Sequence, residues 1–295
     1  MRIARLFALA LALPLFAQAP PTARIDLIGA EIFSIDRSHS SFGFTVSFFG
    51  MSKVRGTFKD YAATILYDDA HPERSSVTLS IDAASIDTGD SGRDRDLQGD
   101  AWFASAKHPR IVFQSTRIEP KGANQYLVHG ELSMKGVTRA IAIPMTRTVA
   151  RVADAGWGNI RIGGSGSVTL KRRDFGIDGP DFWNKAIGEE VVIELDILGT
   201  RPNYDRWNLP EEEKGQLTVK ILRHMQHREL QEALALLQTA VERYPEAASF
   251  HLRLGEAYAA LGDRAAAIRS YEKAQALFPI STEAMEMLRR LRPAR

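Results

Sequence analysis

Residues 42–48 read Phe42-Gly43-Phe44-Thr45-Val46-Ser47-Phe48. A strand sends alternate side chains to opposite faces, so this stretch turns four large apolar groups to one side and small or polar ones to the other. The same period of two extends outward along the chain. Val77, Leu79 and Ile81 alternate with Thr78, Ser80 and Asp82, and Val191, Ile193 and Leu195 repeat the pattern with Glu194 and Asp196. Further strands are expected over 54–58, 62–67, 111–118, 125–134, 138–145 and 165–171. Turn formers separate them at Asp68-Asp69, Lys121-Gly122, Lys135-Gly136 and Gly156-Trp157-Gly158. About eight strands with short connections predict an all-β N-terminal domain, an antiparallel barrel or sandwich. One helix interrupts them. Asp90 or Ser91 caps a segment through Arg93, Asp94, Leu97 and Asp100 to Trp102 and Phe103, and His108-Pro109 returns the chain to a strand. Leu97, Ala101 and the Trp102-Phe103 pair are expected to plug or roof the sheet.

From Gln216 onward the apolar period becomes helical. The change falls in residues 201–213, where Pro202 and Pro210 break both patterns. The expected division is therefore a β domain over 24–200, a linker over 201–213 and an all-α domain over 214–295. Positions 34 apart match: Ala233 with Ala267, Leu237 with Tyr271, Ala240 with Ala274, and Pro245 with Pro279. That spacing is the tetratricopeptide (TPR) period. The unit over 248–281 fits best, with Gly255 and Ala267 small enough for close helix approach. The unit over 214–247 is weaker, because Ile221 replaces the small residue and Arg228 the turn glycine. Ser281 caps a last helix carrying Ala284, Met285, Leu288 and Leu291, for roughly five helices. Such arrays offer a concave face to a peptide or protein; this one can equally dock on its own barrel or form a dimer.

The N-terminus has the layout of an export signal over residues 1–19: basic Arg2 and Arg5, an apolar run from Leu6 to Phe16, and small Ala17 and Ala19. The run is too short to remain as a membrane span, and no later stretch is long and apolar enough to be one. The destination expected is the bacterial periplasm or beyond. Across 295 residues, 44% are hydrophobic and 25% charged, ordinary globular usage for about two domains. The net charge of +2 falls towards zero once Arg2 and Arg5 are removed, which argues against a nucleic-acid partner chosen by bulk charge. Cysteine is absent, so disulfides, thiolate metal sites and catalytic thiols are excluded.

Signatures of catalysis fail one by one. His224 and His227 read as a surface pair without acidic co-ligands. Asp90, Asp94, Asp96 and Asp100 lack the glycine and terminal glutamate of a calcium loop. Gly163-Gly164-Ser165-Gly166-Ser167 lacks both the Lys-Ser/Thr ending of a phosphate loop and the Gly-x-Ser-x-Gly spacing of a nucleophile elbow. No catalytic residue and no metal site is expected, and no cofactor is required.

One ordered set of segments carries a family resemblance. It runs through Ile35-Asp36, Ser38-His39-Ser40, Phe42-Gly43-Phe44, Val54-Arg55-Gly56-Thr57-Phe58 and Ala83-Ala84-Ser85-Ile86-Asp87-Thr88-Gly89. It continues in Arg93-Asp94, Leu97, Phe103, His108-Pro109, Phe113, Gly130-Glu131-Leu132, Lys135-Gly136-Val137-Thr138 and Arg173-Asp174-Phe175-Gly176. Over residues 32–198 the chain resembles the YceI family of periplasmic proteins, lipocalin-like barrels that bind polyisoprenoids. The resemblance implies non-catalytic binding, transport or storage of a polyprenyl lipid or a ubiquinone-like isoprenoid quinone. It implies a lining drawn from Phe42, Phe44, Val46, Phe48, Phe58, Leu97, Trp102, Phe103 and Phe113, with His39, Arg55, Arg93 and Asp94 as headgroup or rim candidates. Two positions depart from the family pattern: many relatives carry histidines where this chain has Phe48 and Asp96. From the residues alone the aromatic set reads as a dry core, a preference that the resemblance reverses, and the alternative function is a scaffold whose filled barrel binds no lipid.

Overall fold

The computed structural model describes residues 31–154, 159–202, 212–279 and 281–292. The segment expected to be an export signal, most of the expected linker and the turn expected at Gly156-Trp157-Gly158 lie outside the described residues. The first six strand segments are β1 (Glu31–Ile35), β2 (Ser41–Phe48), β3 (Ser52–Phe58), β4 (Tyr61–Tyr67), β5 (Ser76–Asp82) and β6 (Ile86–Asp87). After helix α1 (Ser91–Gln98) come β7 (Arg110–Gly122), β8 (Gln125–Met134), β9 (Val137–Ala153), β10 (Ile160–Lys171) and β11 (Ile187–Arg201). Each is antiparallel to its neighbours, and the β1–β11 pairing closes the eight-membered ring β1-β4-β5-β7-β8-β9-β10-β11. The fold is therefore a barrel, not a sandwich.

The remaining segments lengthen ring strands. β1 and β2 both lie on β11, where Ser34 faces Thr200 and Phe42 faces Leu195, so they are two halves of one kinked strand. β3 pairs with β2 and β6 with β3, carrying the wall past the kink. The β2–β3 turn, α1 and the β10–β11 connection consequently share one end of the barrel, and the β4–β5 loop lies at the other.

α1 is shorter than its apolar pattern suggests. Asp90 caps it by accepting from the amides of Gly92 and Arg93, and it stops at Gln98 with Gly99 N–H donating to Asp96 O. The following turns give Trp102 N–H to Gly99 O and Phe103 N–H to Leu97 O, which drops both rings inward. A continuous helix would have spread Leu97, Trp102 and Phe103 around its circumference.

Five helices follow: α2 (Glu213–Gln226), α3 (Leu230–Arg243), α4 (Ala248–Leu261), α5 (Arg264–Leu277) and α6 (Thr282–Leu291). They pack in sequence, and Gly255 lies under the Tyr271 ring, where a β-carbon would come within 2.8 Å. Ser281 caps α6 by accepting from Ala284 N–H. Of the three settings open to the array in sequence, docking on its own barrel is the one adopted. α6 lies across the outer wall of β4 and β5, Thr282 and Thr64 share a hydroxyl–hydroxyl bond of 2.8 Å, and Leu66 joins the core formed by Leu252, Tyr271, Met287 and Leu291. No helix among the described residues is long and apolar enough to cross a membrane.

Candidate functional site

The barrel is hollow. A cavity of about 620 Å³ runs along its interior, within the range of roughly 300–1,000 Å³ typical of small-molecule sites. The alternating strands explain its lining, since every second residue of the paired strands β2 and β11 points inward: Phe42, Phe44, Val46 and Phe48 stand beside Val191, Ile193, Leu195 and Ile197 on one stretch of its wall. Gly163 and Gly164 of β10 also border the space and contribute no side chain to fill it. This glycine-rich segment thus lies within a strand and keeps the interior open.

Aromatic contacts organise the α1 end. Phe44 and Phe58 have ring centroids 6.0 Å apart, Phe58 and Phe103 5.8 Å, and Phe48 and Trp183 6.0 Å. The Phe44 ring covers Gly56 so closely that a β-carbon there would fall 2.4 Å from Phe44 Cζ. Leu97, Trp102 and Phe103 all line the cavity, so this segment roofs the barrel as expected.

Arg172 fixes that roof. It is 5% exposed and donates to the carbonyls of Ile177 (2.7 Å), Asp178 (2.5 Å), Gly188 (3.0 Å) and Ile187 (3.2 Å). Its guanidinium also lies 5.8 Å from the Trp102 ring, a cation–π distance. Burial lowers its pKa, with Arg173 adding to the effect. The sequence offers no sign of this role, because its acceptors are main-chain carbonyls, which no residue type marks.

The opposite end is closed by polar groups. Arg147 Nη1 donates to the Tyr67 hydroxyl at 2.8 Å and to Asp69 at 3.2 Å, while the Tyr67 hydroxyl donates to Asp69 at 2.7 Å. Burial, together with the Asp69 bond, raises the pKa of the Tyr67 phenol.

All nine expected lining residues border the cavity: Phe42, Phe44, Val46, Phe48, Phe58, Leu97, Trp102, Phe103 and Phe113. Of the four rim candidates only Arg93 does so, with Nε donating to Thr88 Oγ1 at 2.8 Å and Nη2 to Thr88 O at 2.9 Å. The other three are corrected. His39 lies exposed in the turn after β1, with Nδ1 3.0 Å from Asp36. Arg55 is exposed because β3 turns Val54, Gly56 and Phe58 inward and the alternate position Arg55 outward. Asp94 is occupied locally, accepting from Thr88 N–H and Oγ1 at 2.9 and 2.6 Å. Asp90 and Asp96 instead accompany Arg93 at the cavity. Phe48 and Asp96, the two departures from the family pattern, are thus both lining residues.

Comparison with known proteins agrees with this architecture. Residues 33–198 match the YceI-like domain family and residues 219–281 the tetratricopeptide repeat family. A UPF0312 protein of Azotobacter vinelandii is 32% identical over 177 residues, spanning 58% of this chain and 88% of its own. Another, of Ectopseudomonas mendocina, is 33% identical over 184 residues, spanning 59% and 92%. Among solved structures, Burkholderia cenocepacia BcnA aligns with a TM-score of 0.50 at 25% identity, over 56% of this chain and 98% of its own.

Proposed function

The chain belongs to the YceI-like family, and from that premise we propose that its barrel binds a polyisoprenoid lipid or isoprenoid quinone and carries or stores it unchanged in the periplasm. The observation that carries this reading is the elongated apolar cavity of about 620 Å³. Removing apolar surface from water is worth about 25 cal/mol per Å², or about 0.8 kcal/mol per buried methylene, so a prenyl chain can be held without a strong polar contact. A lining of aliphatic and aromatic side chains suits such a chain and sets its length only loosely. Asp90, Arg93 and Asp96 at one end and Tyr67 and Arg147 at the other are the groups available to a polar headgroup. The lipid is cargo, not cofactor, and no chemical step is assigned to the protein. The tetratricopeptide helices supply a surface for a protein partner.

Lipid extraction and mass spectrometry of protein purified from the periplasm test the reading. A stoichiometric prenyl lipid is expected, and Phe44→Asp is expected to abolish its retention in a folded protein. Repeated lipid-free preparations would sink the carrier reading and favour the scaffold.

A further inference from the structure

At the barrel end remote from α6, two segments expose three large apolar side chains. Phe49, Met51 and Phe182 are 54%, 83% and 72% exposed. The segments are tied together, since Phe49 N–H donates to Ala186 O at 2.6 Å. Ring contacts then run in series: Phe49 to Phe48 at 4.7 Å, Phe48 to Trp183 at 6.0 Å, and Trp183 to Phe182 at 5.1 Å. Phe48 and Trp183 also line the cavity, so aromatic surface leads from the interior of the barrel to its outer rim.

The backbone points the same way. Phe49 has φ 52° and Gly50 φ 68°, so a bulky aromatic residue occupies the left-handed region while its ring remains in water. A conformation disfavoured for its residue type, spent on exposing an apolar group, indicates a function outside the fold itself. The shape selects the partner class. These side chains project from a strand turn and a short connection, a geometry that enters a soft apolar phase rather than receiving a peptide. Lys53 and Lys185 are exposed in the same segments and Asp181, Glu189 and Glu190 offset them, so attraction to an anionic headgroup is not the source of binding.

We propose that Phe49, Met51 and Phe182 insert into the interfacial layer of a phospholipid bilayer, opening the Phe48–Trp183 side of the cavity towards the acyl chains. The direction of lipid passage rests on the carrier reading above; the bilayer contact itself does not. Aromatic residues favour the membrane interface, and an inserted apolar cluster binds in proportion to its buried area.

The test uses the full mature chain with extruded phosphatidylcholine vesicles. Wild type is expected to co-sediment, and the triple variant Phe49→Ser, Met51→Ser, Phe182→Ser to lose at least about tenfold in partitioning, with an unchanged thermal midpoint and an unchanged size in vesicle-free solution. Vesicles of brominated phosphatidylcholine are expected to quench tryptophan fluorescence, and Trp183→Phe to remove most of that quenching. Wild type that ignores vesicles, a triple variant that binds like wild type, or a change in oligomeric state without vesicles each overturns the proposal. Lipid-loaded protein that ignores vesicles defeats insertion alone, whereas lipid-free protein with tip-dependent vesicle binding defeats the carrier reading and upholds insertion.

Discussion

Thr78 Oγ1 on β5 donates to Glu286 Oε2 on α6 at 2.5 Å, across 208 residues of sequence. Ser76 Oγ donates to the other carboxylate oxygen at 2.6 Å, and Arg289 and Arg290 both reach the same group from its own helix. Glu286 is 0% exposed. The joint between the helical array and the barrel is therefore a buried, fully partnered charge. Arg290 extends it by donating to Ser76 Oγ at 2.6 Å.

Removing that carboxylate should cost more than removing an ordinary surface pair. Glu286→Ala leaves Arg289 and Arg290 without their shared acceptor and strands two wall hydroxyls, a change of the kind that costs about 3–5 kcal/mol. The expected result in urea is early release of the helical array, read as cleavage at α6 under limited proteolysis before the barrel unfolds. Unfolding indistinguishable from wild type would mean that the contact adds nothing to docking.

The same carboxylate makes docking acid-sensitive. Burial by itself would raise its pKa, but the bonds from Arg289, Ser76, Thr78 and Arg290 outweigh it and hold the group at about 2, against 4.5 for an ordinary glutamate. A carboxylate depressed in the folded state contributes stability that is complete above its unfolded pKa and disappears as pH falls through the folded one. Wild type should therefore keep a constant advantage over Glu286→Gln at neutral pH and lose it progressively from about pH 4.5 towards pH 2. Urea midpoints for the two proteins across that window check it, and an advantage that persists undiminished at pH 2 would refute the assignment.

The parts of this molecule legible in sequence are those written in local period. The Phe42–Phe48 alternation fixes which side chains face the cavity, and the 34-residue spacing finds the helices. β1 is not legible in the same way, because five residues carry too little alternation to stand out, and ring closure depends on its pairing with β11. Glu286 was hidden for a different reason: beside Arg289 and Arg290 it reads as an exposed helical ion pair, and only the Thr78 and Ser76 hydroxyls from the barrel reveal its burial. His39 and Arg55 are residue types suited to a headgroup, but the turn after β1 and the direction of β3 point them away from the cavity.

Cavity width should respond to a position that never touches ligand directly. A β-carbon on Gly56 falls 2.4 Å from Phe44 Cζ and 2.9 Å from Thr88 Cγ2, so Gly56→Val must push the Phe44 ring into the cavity. Overpacking of this kind costs about 1–3 kcal/mol, which a stable barrel survives. The expected outcome is a folded protein with markedly reduced retention of bound lipid, measured by mass spectrometry of the extract. Full retention would mean that the ring can move without narrowing the cavity.

A gain in stability is expected where the first helical hairpin departs from the repeat. Arg228 occupies the turn between α2 and α3 at φ 60°, and Gly262, one repeat later, occupies the α4–α5 turn at φ 87°. The left-handed conformation costs a residue with a β-carbon roughly 1–2 kcal/mol and glycine almost nothing, while glycine gives back part of that through its freer unfolded chain. The balance predicts that Arg228→Gly stabilises the hairpin by about 0.5–1 kcal/mol, since the Arg228 N–H bond to Met225 O is a main-chain contact that glycine retains. Thermal unfolding of the full chain should register this as a higher midpoint for the helical transition. A lower midpoint would show that the arginine side chain contributes more than its backbone strain removes.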